Sequence, residues 1–290
     1  MKKDFLTVLD FTADEIREVF ALTDKLKKDR LSNSFKPLAG KSIGLIFAKS
    51  STRTRVSFEV GVHELGGNPL YLDSTKMQLG RGETVADTAH VLSRYLHGLV
   101  IRTYSQADVE ELAREATFPV INALTDDYHP CQILADLYTI KEYSGTTKVK
   151  TVFVGDGASN IANSLMLGAK LSGMQLVVAS PKEYAPNAEI LAECAPFAQW
   201  CEDPVEAMKD ADYVYTDVWV SMGFEEERAK RLATLAPYQV NKAVMENAGP
   251  QCRFMHCLPA FHDLNTTIGK QIYDKFGIDC MEVTDEVFES

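Results

Sequence analysis

Short apolar runs alternate with segments of helical periodicity along most of the chain. The runs Ile43 to Phe47, Gly98 to Ile101 and Thr151 to Val154 are short and continuous, which is typical of strands buried on both faces of a sheet. Between them, apolar residues recur at helical spacing, as in Val56 to Leu65. This order of strand, helix and strand predicts an α/β fold in which parallel sheets are flanked by helices.

A polar, helix-breaking stretch, Ser144 to Lys148, interrupts this pattern near the middle of the chain. A chain of 290 residues is long for a single hydrophobic core, so two domains are the natural expectation. We therefore predict one domain over residues 1–145 and a second domain over residues 146–290.

The net charge of the chain indicates which classes of molecule the protein is suited to bind. With 30 basic and 41 acidic residues, the formal net charge is −11, whereas nucleic-acid binding favours a basic surface. We expect no nucleic-acid partner, and an anionic substrate would have to be captured by a local cluster of cationic groups. The N-terminus lacks the apolar core of a signal peptide, and no apolar run approaches membrane-spanning length. We expect no membrane association.

The six cysteines form no CxxC pair, and a chain of this size does not need disulfides for stability. Reduced thiols in a cytoplasmic protein fit this pattern best. Cys252, His256 and Cys257 suggest zinc, but a second spaced pair of ligands is missing. We therefore predict no metal and no organic cofactor.

Hydroxyls and guanidiniums alternate in Ser51-Thr52-Arg53-Thr54-Arg55, between a predicted strand and a predicted helix. The first N–H groups of a helix have no internal partner, and the helix dipole is positive there. Ser51, Thr52, Arg53 and Thr54 are thus suited to bind a phosphate. The alternative is an ordinary Ser/Thr cap followed by a solvated arginine.

Polar residues also stand at two later strand ends. Arg102 closes the run Gly98 to Ile101, where a ligand contact or a solvated side chain is equally compatible with the sequence. His129 precedes Pro130 at the predicted start of a helix, whose positive end favours a neutral imidazole. Gln132 offers a further polar contact. A surface or packing role is the alternative for His129.

The second half contains two polar segments at strand ends. Gly155 and Gly157 resemble the start of a dinucleotide fingerprint, but Asn160 stands where the third glycine belongs, and the next strand ends without an acidic residue. A nicotinamide dehydrogenase is therefore a poor second choice. Asp217 and Ser221 follow a later strand and are suited to bind an ammonium group and its carboxylate. A helix cap and a solvent loop are the alternative.

These motifs, taken in chain order, resemble those of the aspartate/ornithine carbamoyltransferase family. The matching stretches are Ser51-Thr52-Arg53-Thr54-Arg55, His129-Pro130-Cys131-Gln132, Asp217-Val218-Trp219-Val220-Ser221-Met222-Gly223 and His256-Cys257-Leu258-Pro259. The resemblance implies transfer of a carbamoyl group from carbamoyl phosphate to the δ-amine of L-ornithine, in arginine metabolism. It also implies a homotrimer or a multiple of trimers, with the active site in a cleft between two domains.

The resemblance assigns roles to individual residues. The residues implied to bind carbamoyl phosphate are Ser51, Thr52, Arg53, Thr54, Gln78, Arg102, His129 and Gln132, with Gln78 reaching into the neighbouring subunit. The residues implied to bind ornithine are Asn160, Asp217, Ser221, Met222, Cys257 and Leu258, with Asn163 as a weaker substitute for Asn160. The resemblance implies catalytic roles for Arg102, His129 and Cys257.

Two further alternatives stay open beside the dehydrogenase. The first is the same chemistry with another acceptor, such as putrescine, N-acetylornithine or aspartate. The second is a non-catalytic, truncated member, because the family usually continues past the position of Ser290 into a segment with another carbamoyl-phosphate arginine and a C-terminal helix.

Overall fold

The structure, a computed structural model, describes residues 2–28, 30, 34–78, 82–220 and 225–290. The chain folds as two compact units, Met1–Tyr138 and Thr139–Ser290. Among the described residues, no helix combines the length and the apolar character needed to cross a bilayer.

The first unit is built on a four-stranded sheet in which all neighbouring strands are parallel. Its strands are β1 Ser42–Phe47, β2 Asn68–Leu72, β3 Gly98–Arg102 and β4 Val120–Leu124. Its helices are α1 Ala13–Lys28, α2 Arg53–Glu64, α3 Val85–Leu92 and α4 Gln106–Glu115, and α5 Pro130–Ser144 continues into the second unit. The strand order is β2-β1-β3-β4.

Helices cover both faces of this sheet, because side chains alternate between the faces along each strand. Ile46 of β1 packs in a cluster with Ala89 of α3, whereas its neighbour Leu45 packs in another cluster with Val62 of α2. Buried on two sides, the central strands have the continuous apolar sequences from which they were predicted.

The second unit repeats this architecture with a five-stranded parallel sheet. Its strands, in the order β7-β6-β5-β8-β9, are β5 Lys150–Val154, β6 Gln175–Ala179, β7 Ala198–Cys201, β8 Tyr213–Thr216 and β9 Arg253–His256. Its helices are α6 Asn160–Ser172, α7 Ala188–Cys194, α8 Pro204–Ala207, α9 Arg228–Leu235, α10 Lys242–Met245, α11 Thr267–Phe276 and α12 Asp285–Phe288.

The predicted α/β class, with two parallel sheets flanked by helices, is confirmed. The predicted boundary between residues 145 and 146 stays a prediction, since the division between the compact units falls inside α5. In each sheet the strand order changes direction at one point, between β1 and β3 and between β5 and β8. Ligands of open parallel sheets bind outside the carboxyl ends of strands at such points.

Candidate active site

The predicted anion site lies after β1, at the N-terminus of α2. Thr52 precedes the first helical residue, and its side chain makes no capping hydrogen bond among the described residues. The first-turn N–H groups of α2 therefore lack this usual partner, and the alternative of a capping hydroxyl does not hold for Thr52. Thr52 and Arg53 are exposed, and Ser51 and Thr54 are half-buried. Arg55 instead lies 4.8 Å from the centre of the Tyr71 ring.

Arg102 ends β3, the strand beside β1, and is only 7% exposed. The register between β3 and β4 shifts between Ile101 and Arg102, and such irregularities redirect a side chain near functional sites. The buried Nε of Arg102 has no hydrogen-bond partner among the described residues. Burial, and secondly the charge of Arg53, lower the pKa of Arg102 to about 10. Two neighbouring cations, one of them buried, form a site that an anion would stabilise.

His129 lies beyond the end of β4, directly before α5, and is 6% exposed. Burial, and secondly the charge of Arg102, lower its pKa to about 3. The imidazole is therefore neutral at physiological pH, as predicted, and a neutral ring donates one hydrogen bond and accepts another. The strand ends thus bring Arg53, Arg102 and His129 within electrostatic influence of one another.

Two glutamines were predicted to complete this site. Gln132 Nε2 donates to Asp136 Oδ1 at 3.0 Å, so a contact with a carbamoyl group would use its second N–H or its oxygen. Gln78 is exposed, and its predicted contact with a neighbouring subunit stays a prediction. Cys131, between His129 and Gln132, is structural: its Sγ donates to the Asn122 oxygen at 3.3 Å, and burial raises its pKa to about 12.

In the second unit, Asn160 is the first residue of α6, after the loop that follows β5. Ser159 caps this helix by accepting from the Ala162 N–H at 3.2 Å. The loop is tightly packed at Gly157, where a Cβ atom would lie 2.6 Å from Ser180 Oγ and 2.7 Å from the Tyr184 oxygen. The second glycine of the degraded fingerprint is thus required by packing, whether or not a nucleotide binds.

Asp217 follows β8, on the other side of the point where the strand order reverses. Its Oδ1 accepts from the Val218 N–H at 2.7 Å and from Cys257 Sγ at 3.0 Å. Burial raises the pKa of the Asp217 carboxyl, while His256 and the Cys257 hydrogen bond act in the opposite direction. A half-buried carboxylate in this position is suited to pair with an amine.

The loop after β9 is held by His256, which belongs to a predicted motif, and by Glu282, which the sequence analysis missed. His256 Nε2 lies 3.2 Å from Glu282 Oε1, and Glu282 is completely buried. His256 Nδ1 accepts from the Leu258 N–H at 2.9 Å, which leaves the ring proton on Nε2, facing Glu282. Leu258 has a φ of +55°, a left-handed conformation that is rare for a branched side chain and concentrated at functional sites.

A second anchor, also missed by the sequence, is Arg231 of α9, which is 6% exposed. Its Nη1 donates to Asp156 Oδ2 at 2.5 Å and to the Trp219 oxygen at 3.4 Å. One guanidinium thereby joins the loop before Asn160 to the segment after Asp217. A sequence signal existed only for Asp156, which lies between the two glycines of the fingerprint.

Of the residues predicted for the second unit, Ser221 and Met222 lie outside the described residues. Asp217, His256 and Cys257 have potential ligand atoms within 4.8 Å of one another, as do His262, Asp285 and Glu289. Cys252 belongs to neither group. The hydrogen bonds from Cys257 to Asp217 and from Leu258 to His256 account for the first cluster without an ion. All six cysteines lie in the described chain and are thiols.

Comparison with known families covers nearly the whole chain. The carbamoyl-P binding domain of aspartate/ornithine carbamoyltransferases matches residues 3–142. The Asp/Orn binding domain of the same family matches residues 147–290.

Curated relatives carry consistent names. Ornithine carbamoyltransferase of Oceanobacillus iheyensis is 51% identical over 276 residues, covering 92% of this chain and 85% of that protein. The catabolic ornithine carbamoyltransferase of Mycoplasma capricolum subsp. capripneumoniae is 46% identical and covers 99% and 96%, respectively. Among solved structures, ornithine carbamoyltransferase from Pyrococcus furiosus superposes with a TM-score of 0.87 at 46% identity, covering 99% of this chain and 89% of that one.

Proposed function

The chain belongs to the aspartate/ornithine carbamoyltransferase family, and we propose that it transfers the carbamoyl group of carbamoyl phosphate to the δ-amine of L-ornithine. The products are L-citrulline and inorganic phosphate. The observation that carries the proposal is the buried Arg102, which lacks a partner for Nε among the described residues and stands beside Arg53 and the neutral His129. This combination suits a substrate that joins a phosphate to a carbonyl group.

The first unit would bind carbamoyl phosphate. Ser51, Thr52, Arg53 and Thr54, with the first N–H groups of α2, hold the phosphate. Arg102 and His129 donate to the carbonyl oxygen, and Gln132 contacts the carbamoyl amide. As the amine attacks the carbonyl carbon, negative charge grows on that oxygen. Donors fixed in advance stabilise it, each by roughly 3–4 kcal/mol of barrier. The bond to the phosphate oxygen then breaks, and Arg53 stabilises the departing phosphate.

The second unit would bind ornithine. Asp217 pairs with the charged α-amine, and Asn160 contacts the α-carboxylate or the α-amine. Ser221 and Met222 complete the binding of this end of ornithine. The backbone oxygens of Cys257 and Leu258 orient the δ-amine, which must be neutral to attack. Cys257 forms no covalent intermediate in this scheme. The proton that the δ-amine loses leaves with the released phosphate, and Cys257, whose thiol donates to Asp217, assists in that transfer only as a thiolate. The proposed chemistry draws on side chains and backbone alone.

The proposal also covers the oligomeric state of the protein and its cellular role. We propose a homotrimer, or a multiple of trimers, in which Gln78 contacts carbamoyl phosphate bound by the neighbouring subunit, and a role in cytoplasmic arginine metabolism. Sedimentation analysis with parallel assays at decreasing concentration tests the shared site. Activity should fall as the oligomer dissociates, and a fully active monomer would contradict the role of Gln78.

The decisive experiment is an acceptor panel. The purified chain is incubated with carbamoyl phosphate and ornithine, putrescine, N-acetylornithine or aspartate, and the carbamoylated product is measured. We expect product with ornithine alone. Turnover only with another amine would overturn the choice of acceptor, and no turnover with any amine would overturn the proposed activity.

A matched pair of arginine variants locates the site within the first unit. Arg53→Ala should lower kcat/KM for carbamoyl phosphate by roughly a hundredfold or more. Arg17→Ala removes an exposed arginine of α1, paired with Asp14, and should leave turnover unchanged. Equal losses in the two variants would contradict the assignment of Arg53.

A further inference from the structure

We infer that Thr125 and Gln106 are positioning residues for the carbamoyl-phosphate site, acting through the turn that presents His129. The inference rests on the proposed function and deepens it. Neither residue belongs to the motifs that mark the site, and neither is placed to touch the substrate by those motifs. What singles them out is a buried chain of hydrogen bonds that leads from α4 to Tyr128, the residue directly before His129.

The turn between β4 and α5 closes on Thr125, which is completely buried. The Thr125 N–H donates to the Tyr128 oxygen at 2.8 Å, and the Tyr128 N–H donates to Thr125 Oγ1 at 3.1 Å. These reciprocal bonds fix both ends of the turn. His129 follows Tyr128 directly, so its backbone position depends on the Thr125 hydroxyl.

Gln106, the first residue of α4, holds that hydroxyl in place. Its Oε1 accepts from Thr125 Oγ1 at 2.9 Å and from Asn122 Nδ2 at 3.1 Å. Asn122 Oδ1 in turn accepts from the Leu124 N–H at 2.9 Å, at the end of β4. Because Gln106 accepts the hydroxyl proton, Thr125 Oγ1 presents a lone pair to the Tyr128 N–H. The Tyr128 oxygen is a second acceptor for that hydroxyl, but at 3.4 Å it is the more distant one, so the shorter bond to Gln106 favours this orientation.

The same turn is also tied to the other two strand ends. The Asp126 N–H donates to the Tyr104 oxygen at 2.9 Å, and Tyr104 lies just after Arg102. The Asp126 carboxylate pairs with the buried Lys49, which lies just before Ser51 and 4.6 Å from the centre of the Tyr104 ring. The turn therefore holds His129 in register with both the Arg102 strand end and the Ser51 segment.

A buried polar network of this kind is not needed to stabilise an α/β sheet, since apolar groups of equal shape often serve as well. What the network contributes instead is precise positioning of the turn that carries His129. A donor to a developing oxyanion must be held within a fraction of an ångström, and small misplacements reduce turnover strongly. This explains why three polar side chains are buried beneath His129.

The test compares two substitutions at one position. Thr125→Val keeps the shape of the side chain but removes the hydroxyl, whereas Thr125→Ser keeps the hydroxyl. We expect Thr125→Val to lower kcat/KM for carbamoyl phosphate by roughly tenfold or more, with the KM for ornithine unchanged within about twofold. Thr125→Ser should recover most of the loss.

Thr88→Val is the matched control. Thr88 is buried in α3 of the same unit, and its Oγ1 has no hydrogen-bond partner among the described residues. This variant should keep the kinetic parameters of the wild type. If Thr125→Val fails to fold, Gln106→Met removes the acceptor from the other end of the network and should give the same selective loss.

The outcomes separate the inference from the proposed function. Citrulline formation by the wild type tests the proposed function. If the wild type forms no citrulline, calorimetric titration with carbamoyl phosphate still tests the inference, because it measures binding rather than turnover. Weaker binding by Thr125→Val than by Thr125→Ser would support the inference. Wild-type parameters in Thr125→Val, or losses that affect ornithine and carbamoyl phosphate equally, would overturn it.

Discussion

The thiol of Cys257 donates a hydrogen bond to Oδ1 of Asp217 across 3.0 Å, joining residues that lie 40 positions apart in the sequence. The bond connects the carboxyl ends of β9 and β8, which are neighbours in the second sheet. It couples the protonation of the proposed amine-binding carboxylate to the residue proposed to orient the attacking amine.

This coupling predicts a shift in pH dependence. The Cys257 hydrogen bond favours the ionised form of Asp217, so Cys257→Ala should raise the pKa of that carboxyl further above its ordinary value. Only the ionised form pairs with the α-amine. The acid limb of kcat/KM for ornithine should therefore move to higher pH in Cys257→Ala and stay closer to the wild type in Cys257→Ser. An unmoved acid limb in both variants would show that Asp217 is not the titrating group.

Replacing Arg102 should separate activity from stability. Arg102→Met should abolish most turnover, by roughly a hundredfold or more, because a donor to the carbonyl oxygen is lost. The free energy of unfolding should nevertheless rise by on the order of 1 kcal/mol. The substitution removes a buried cation that has no carboxylate partner among the described residues. Urea unfolding and citrulline assays measure the two effects. Arg114→Met, at an exposed position of α4, should change neither, and a destabilised Arg102→Met would contradict the prediction.

His129 should contribute to the acid sensitivity of the fold. Its pKa is about 3 in the folded protein and about 6.5 in an unfolded chain, so the unfolded chain binds the extra proton between these values. Stability should fall as the pH drops below about 6.5, by up to about 1.4 kcal/mol per pH unit. Urea unfolding of His129→Asn should show a flatter dependence between pH 7 and 5. The same substitution at the exposed His63 is the control, and identical slopes in all three proteins would contradict the prediction.

Arg231 should affect ornithine more than carbamoyl phosphate. Arg231→Met leaves Asp156 buried without its cation and releases the Trp219 oxygen, so both segments around the proposed ornithine site lose their common anchor. We expect the KM for ornithine to rise roughly tenfold or more, and unfolding free energy to fall by about 3 kcal/mol. The KM for carbamoyl phosphate should change little. Lys170→Met, which breaks an exposed ion pair with Glu193, provides the reference, and an equal rise in both KM values would refute the assignment.

The sequence predicted those parts of the fold that depend on local pattern. Central strands such as β3 are buried on both faces and therefore appear as continuous apolar runs. Strand β7 was missed because Gln199 and Trp200, two of its four residues, are exposed at the edge of the sheet. The short helix α10 was also missed, because its sequence shows no clear hydrophobic periodicity.

The same distinction applies to the site. Strand ends and a helix N-terminus have local signatures, which pointed to Arg53, Arg102 and His129. The pairs of residues that hold the site together have no local sequence signature. Asp156 and Arg231, for example, lie 75 residues apart and meet only in the folded chain. Sequence reasoning therefore found the groups proposed to face the substrates and missed their supports.

Glu282 shows what this arrangement means for redesign of the enzyme. Its buried Oε1 accepts from the Phe261 N–H at 2.6 Å and faces His256 at 3.2 Å, so one carboxylate braces the loop Cys257–Ala260 from both sides. An engineer who varies Cys257 or Leu258 to admit a different amine can alter the inner surface of that loop freely only while Glu282 is kept. Libraries that randomise this loop together with Glu282 would yield mostly misfolded loops rather than new specificities.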